Sequence, residues 1–428
     1  MNPKRLLLPL ACATAWAGSI PSQVTFYKDV LPVLQNRCQE CHRPGEIAPF
    51  SMLTYSDTRP WAKAIKSSVL AKKMPPWFAD PTVGHFSNDR TLSQSEVDTL
   101  VGWVDGGAKE GNAKDAPKPR AWVDGWNIQK PDLVLSMKEP FHIGAKEEVP
   151  YQYVIMPTEF KEDKWVQMVE GRPSNRSVVH HIVVFIRQPE NKWLRGQPVG
   201  VPFVPPGGGK DFSNTSGGGS DILMIYTPGM IPEVWRPGLA KKIPAGSDLV
   251  LQIHYTANGK DTTDLSQVGM VFAKEPPKER ALTFGSYNLT FKIPPGDGNY
   301  RVDGMKNTFP NGVEILSFFP HAHLRGKSFE YRVTYPDGRV ETVLRVPKYD
   351  FFWQLDYRLA EPLKLPPGSK VEVTGWYDNS ANNPANPDPQ KEVRWGEQSW
   401  EEMMIGFYDL VIPADMSIRD LFQPKKGD

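Results

Sequence analysis

Cysteine and histidine are scarce in this chain of 428 residues, and where they occur they cluster. Cys38-Gln-Glu-Cys41-His42 has the CxxCH spacing of a c-type haem attachment site. Two thiols can bond the two vinyl groups while the adjacent imidazole reaches the iron. A zinc site wants four ligands, and only His85 stands nearby. A redox dithiol wants a βαβ setting, which the flanking residues lack. Haem c is therefore the cofactor expected on Cys38, Cys41 and His42. Met74, just before Pro75-Pro76-Trp77, is the first choice for the sixth ligand, with Met52 and His85 as competitors. Thioether ligation would make the haem a high-potential electron carrier.

Of the eight histidines, five fall in three strand-like contexts: His180-His181, His254, and His321-Ala-His323. Residues i and i+2 on a strand share a face, so His321 and His323 can share one metal. Adjacent His180 and His181 can converge only at a strand end or bulge, or by using the nearer ring nitrogen. Any single histidine reads first as a hydrogen-bonded, half-buried residue; the clustering shifts the expectation to metal. Imidazole alone suits zinc, copper, nickel or iron. The segment Trp400-Glu-Glu-Met403-Met404 adds a thioether, which favours Cu(I). His142 stands apart and reads as an ordinary histidine near a strand start.

These residues need rigid elements to hold them. Residues 20–110 carry three helical patterns. Tyr27, Val30, Leu31 and Leu34 repeat with helical spacing, a second stretch runs from Pro60 to Met74, and Ser93 with Glu96 caps the Val97–Val104 stripe before Gly106-Gly107. Residues 111–127 read as a polar linker. Strand patterns follow: a β-branched run over 177–186, and clean alternation in 249–255 and 313–319. Ile243-Pro-Ala-Gly-Ser and Leu365-Pro-Pro-Gly-Ser each lead into a strand, which hints at two similar β domains at 128–280 and 281–428. The expected fold is thus a small all-α cytochrome c domain followed by two all-β, jelly-roll-like sandwich domains. The Gly-Gly-Gly-Lys of the 205–220 loop lacks the spacing of a phosphate loop.

Lys4 and Arg5, a short apolar run and Ala15-Trp16-Ala17 read as a signal peptide over residues 1–17, giving a periplasmic or secreted protein with no stable membrane span. Fifty basic residues against 49 acidic give no basic excess and argue against a nucleic-acid partner. With Cys12 in the leader, Cys38 and Cys41 are the cysteines that remain, so no disulfide framework is expected.

His180-His181 on a β-branched strand, Leu251-Gln-Ile-His254-Tyr255, His321-Ala-His323-Leu324 and Glu402-Met403 together resemble the copper type II ascorbate-dependent monooxygenases. That family includes peptidylglycine α-hydroxylating and dopamine β-monooxygenases. Order and approximate spacing match over residues 130–428, and CQECHRPGEIAPF with KKMPPW looks like the cytochrome c domains fused to bacterial relatives. The resemblance implies two β-sandwiches, each with one copper ion, facing across an open cleft. His180, His181 and His254 would hold the electron-transfer copper; His321, His323 and Met403 would hold the copper that meets oxygen and substrate.

The chain departs from the family in lacking disulfides in its β part. It also has Phe319, Ile405 and Phe407 where peptidylglycine hydroxylases hold the peptide carboxylate with Arg, Asn and Tyr. A small organic or peptide-like substrate of apolar or aromatic character is therefore expected, and a peptidylglycine is not. The expected activity is that of an exported copper-dependent monooxygenase using O2, with electrons passing through the haem from ascorbate or another redox protein. The alternative is a non-catalytic copper and haem protein for electron transfer or copper handling. A third option is an adhesion or carbohydrate-binding sandwich tethered to a cytochrome, in which the histidines bind nothing. Tyr255 and Arg325, beside ligand positions, are expected to support them.

Overall fold

The computed structural model describes residues 23–123, 125–206 and 221–424. The signal segment and most of the 205–220 loop lie outside the described residues.

Strand accounts for 36% of the chain and helix for 12%, and the expected small all-α N-terminal domain does not form. The helices there are short: a π-turn Phe26–Val30 running into Leu31–Arg37, then Tyr55–Thr58, Ala62–Leu70 and Gln94–Asp105. Residues 38–54 and 71–93 between them are turns and irregular chain. Local helical spacing was real, but the second stretch ends where Lys72 turns to a φ of +53° and Pro75-Pro76 prevents any continuation, and irregular chain separates the short helices. The second helix accordingly spans Ala62–Leu70 rather than 60–74. The third keeps its capping box, with Ser93 and Glu96 satisfying each other's backbone N–H groups. Residues 77–90 are committed to the β part instead. Trp77 and Phe86 pack on Tyr357, and His85 O accepts the Ala360 N–H at 2.9 Å. The linker is also tied down, with Arg43 over the Trp122 ring and Asn127 on the Glu170 carboxylate.

The β part is built from three main sheets. A nine-stranded sheet runs in the order Leu133–Ser136, Gln267–Phe272, Lys164–Arg172, Leu239–Ile243, Glu279–Tyr287, Ile405–Pro413, Val313–His321, Tyr357–Leu365, with Glu233–Val234 added beside Lys164–Arg172. A four-stranded sheet, Gln152–Pro157, Asp248–Tyr255, Val179–Arg187 and Asp221–Tyr226, covers its first half. A five-stranded sheet centred on Ser369–Tyr377 and Gly326–Thr334 covers its second half. Val154, Ile182, Val184, Leu223 and Leu251 meet Val166, Val169 and Val268 in the first core. Phe329, Tyr331 and Val371 meet Ile315, Phe318 and Leu410 in the second.

The two halves share the nine-stranded sheet through the short parallel pairing of Leu239 and Ala240 with Glu279 and Arg280. They do not face each other across an open cleft. Tyr153, Ile155, Val183, Phe185 and Val250, on the outer face of the four-stranded sheet, pack against Phe319, Met403, Ile405 and Phe407. That sheet is therefore buried on both faces, which is why Val179–Arg187 is buried along its whole length instead of alternating with exposed residues. Burial of this apolar surface is what closes the cleft. Nor are the halves simple copies. The His181 strand pairs directly with the His254 strand, whereas Val313–His321 and Ser369–Tyr377 lie in different sheets.

Candidate metal centre and the adjoining Cys-His turn

The adjacency of His180 and His181 is resolved by a β-bulge. Val179 pairs with Tyr255 and His181 with His254, so His180 is an extra residue inserted in the strand. Such a bulge re-aims a side chain that would otherwise point to the opposite face. As a result His180, His181 and His254 are all buried, and one ring nitrogen from each lies within 4.8 Å of the others. The Nδ1 atoms of His180 and His181 face each other at 3.1 Å.

His321 ends its strand opposite Ile405, His323 follows in the turn, and Met403 precedes the Ile405–Pro413 strand. A buried carboxylate ties these pieces together. Glu402 accepts the backbone N–H groups of His323, of Arg325 at 3.0 Å and of Met403 at 2.9 Å. Burial raises its carboxyl to about 7. Arg325, also buried, donates to Asn379 Oδ1 at 2.8 Å and to Trp400 O at 3.0 Å, fixing the segment that carries Met403. Tyr377 OH donates to Met403 O at 2.8 Å. Met403 faces the inter-sandwich cluster, while Met404 points into the second core. Tyr255, by contrast, turns away, donating to Asp264 and stacking on Phe141.

The two sets of histidines form one buried cluster. The rings of His181 and His321 lie 5.8 Å apart and those of His321 and His323 5.4 Å apart. Tyr151 stands among them, 4.6 Å from the His254 ring and 5.5 Å from the His181 ring, with its hydroxyl 3.5 Å from His323 Nε2. Burial holds all five imidazoles below their ordinary value, His180 and His321 down to about 4, so they are neutral and free to ligate at neutral pH. His321 Nδ1 donates to Gln354 Oε1 at 2.7 Å, leaving Nε2 as the ligating nitrogen.

The buried ring atoms His180 Nε2, His254 Nδ1 and His323 Nδ1 have no hydrogen-bond partner. Each such orphan costs about 1–3 kcal/mol, a cost a bound metal offsets. All-imidazole ligands beside a thioether fit copper best among the divalent first-row metals.

On the other side of Gln354 lies the Cys-His turn. Cys38 O accepts both the Cys41 and the His42 N–H, so both thiols and the imidazole sit on a single turn. His42 Nδ1 hydrogen-bonds Phe50 O at 3.2 Å, which leaves Nε2 for an iron. The donor set therefore suits a covalent haem. Burial pushes the Cys38 thiol up to about 12 and raises that of Cys41. Met52 packs in the same apolar cluster as Cys38, while Met74 lies outside that cluster and His85 is exposed on the β part. His142 is exposed on an edge strand.

The turn is joined to the histidine cluster by the 227–230 loop. Arg90 donates to Gly229 O, and a Cβ at Gly229 would stand 3.6 Å from Cys41 Sγ. Thr227 Oγ1 donates to Gln354 O at 2.7 Å. Gln354, Tyr151 and Glu402 were not singled out from sequence for these roles. Only the Glu-Met pairing at 402–403 gave any signal.

A cavity of about 20 Å³, lined by His181, His321, Met403, Phe319 and Phe407, lies between the sandwiches. That is room for a single water-sized molecule.

No protein-family model matches the chain, and no curated protein does. Among solved structures the chain has distant counterparts. The structure of the infectious bursal disease virus Gt strain is 9% identical over 71% of this chain and 77% of that one, with a TM-score of 0.20. The STIV MCP is 10% identical over 57% and 95%, with a TM-score of 0.21. An oxalate decarboxylase studied for proton-coupled electron transfer is 9% identical over 71% and 89%, with a TM-score of 0.15. Likenesses this weak carry no argument about fold or function.

Proposed function

We propose that the chain is an exported copper-dependent monooxygenase that inserts one atom of O2 into a substrate C–H bond, with electrons delivered through a covalently attached c-type haem. The observation that carries this reading is the convergence of five neutral histidines and Met403 in one buried cluster with three unpaired ring nitrogens. Two copper ions held there supply one-electron redox chemistry toward oxygen, and haem c supplies single electrons.

The chain's own residues do the positioning. Glu402 fixes the His323 and Met403 backbone together, Gln354 orients His321, and Phe319, Ile405 and Phe407 exclude bulk water. External reductant, ascorbate or a redox protein, would enter at the haem. The test is oxygen uptake that depends on an organic substrate, with one hydroxylated product per O2 consumed, lost in His321→Ala. Reduced haem that is never reoxidised under oxygen would exclude the internal-donor role.

One observation favours the second reading, a copper and haem protein for electron transfer or copper handling. The cavity between His181 and His321 is far too small for an organic substrate in this conformation. That reading predicts copper uptake and haem oxidation with no hydroxylated product from any substrate.

A further inference from the structure

A second concavity, of about 510 Å³, opens on the outer side of the histidine cluster. Its size is in the range that encloses a small organic ligand, roughly 300–1,000 Å³. His254 forms part of its floor; Phe351, Phe352, Trp400, Val149 and Leu324 contribute to its walls.

Phe352 and Trp400 are 52% and 40% exposed, so two large rings are held in water at its mouth. They are not loosely placed. The Trp400 carbonyl accepts from buried Arg325, and the Phe352 N–H is capped by Asp350 Oδ1 at 2.9 Å. Phe351 behind them is buried, meets Phe352 edge-on at 5.4 Å and stacks on His180 at 4.5 Å. Ser399 Oγ, also in the wall, lies 3.2 Å from His254 Nε2. An occupant would therefore touch both aromatic rings and the edge of the histidine cluster.

Charge in the lining comes from Lys146, Glu147 and Glu148. Their balance is −1, which offers nothing to an anion, and the Glu147 carboxylate is already engaged by the Gly144 N–H at 3.1 Å. Three aromatic faces offer offset or edge-on ring contacts that an aliphatic molecule cannot match.

We propose that this groove is the binding site for an uncharged aromatic small molecule, held between Phe352 and Trp400 with its inner end against His254. The binding rests on this geometry alone and not on the proposed monooxygenase reading, whose substrate-side residues His321, His323 and Met403 do not line the groove.

Toluene is the probe, with methylcyclohexane and benzoate as the aliphatic and anionic controls. Saturation-transfer NMR on the mature, copper-loaded and haem-bearing protein should show toluene bound about tenfold more tightly than either control. Toluene binding should weaken at least about tenfold in W400A and in F352A, while circular dichroism stays that of the parent, since both side chains are largely exposed. Equal binding of methylcyclohexane, tighter binding of benzoate, or unchanged toluene binding in both variants would overturn the proposal.

Discussion

The imidazole rings of His181 and His321 lie 5.8 Å apart and nearly perpendicular, although 140 residues separate them and they belong to different sandwiches. The contact exists because the second face of the four-stranded sheet is buried against Phe319, Ile405 and Phe407. The histidine sets that the resemblance placed across an open cleft are instead neighbours in one apolar interior.

Glu402 is the clamp on the second half of that cluster. Replacing it with alanine leaves three buried N–H groups without an acceptor, which costs on the order of 3 kcal/mol or more. Chemical denaturation of E402A should show that loss, and bound copper should fall by one ion. A variant of parental stability would mean that the three N–H groups find other partners.

Gln354 fixes which nitrogen of His321 faces inward. Gln354→Leu should weaken copper at His321, His323 and Met403 by about 10–100-fold while leaving the His180, His181 and His254 set unchanged. Competition against a chelator series separates the two affinities. Equal weakening of both would show that the ions are bound as one unit.

Asp221 lies at the junction of the two halves, where burial raises its carboxyl to about 6 despite Lys241 and Arg280. A raised carboxyl favours the protonated form in the fold. Its contribution is therefore complete below the unfolded value, near 3.9, and is lost as pH rises to about 6. Asp221→Asn removes that dependence and can keep the Thr283 N–H partner. The variant should match the parent at pH 4 and exceed it by up to about 3 kcal/mol at pH 7. Denaturation at the two pH values decides it; a constant difference would exclude the titration.

Cys38 and Cys41 are half-buried with raised thiols, so in chain lacking haem they should alkylate far more slowly at pH 8 than a free thiol of ordinary pKa near 8.5. After denaturation the haem-free mature chain should titrate two thiols, and the haem-bearing chain none. Two thiols in chain from a host that matures c-type haem would exclude covalent attachment.

Legibility from sequence followed how local each signal was. The Ser93–Glu96 capping box and the strands at 248–255 and 313–321 were readable because their patterns are complete within a few residues. The pairing of His180 with His181 was readable only as a condition, a bulge, and the register shift supplies it. Three separated helical stripes did not announce that prolines would cut them short or that 77–90 would join the β part. The roles of Tyr151 and Gln354 were not legible. Tyr151 meets histidines 30 to 172 residues away, and nothing in its neighbours marks it. The unbroken run at 177–186 marked a strand covered on both faces, but what covers its second face was hidden, since Phe319, Ile405 and Phe407 lie far along the chain.

The measurement that bears most directly on the central claim is metal stoichiometry. Mature protein from a host that attaches c-type haem is loaded with copper, and copper per haem is counted beside the reduced haem spectrum. Two copper ions per haem are expected, falling to one in Met403→Ala or His321→Ala. One copper or none in the parent would contradict it.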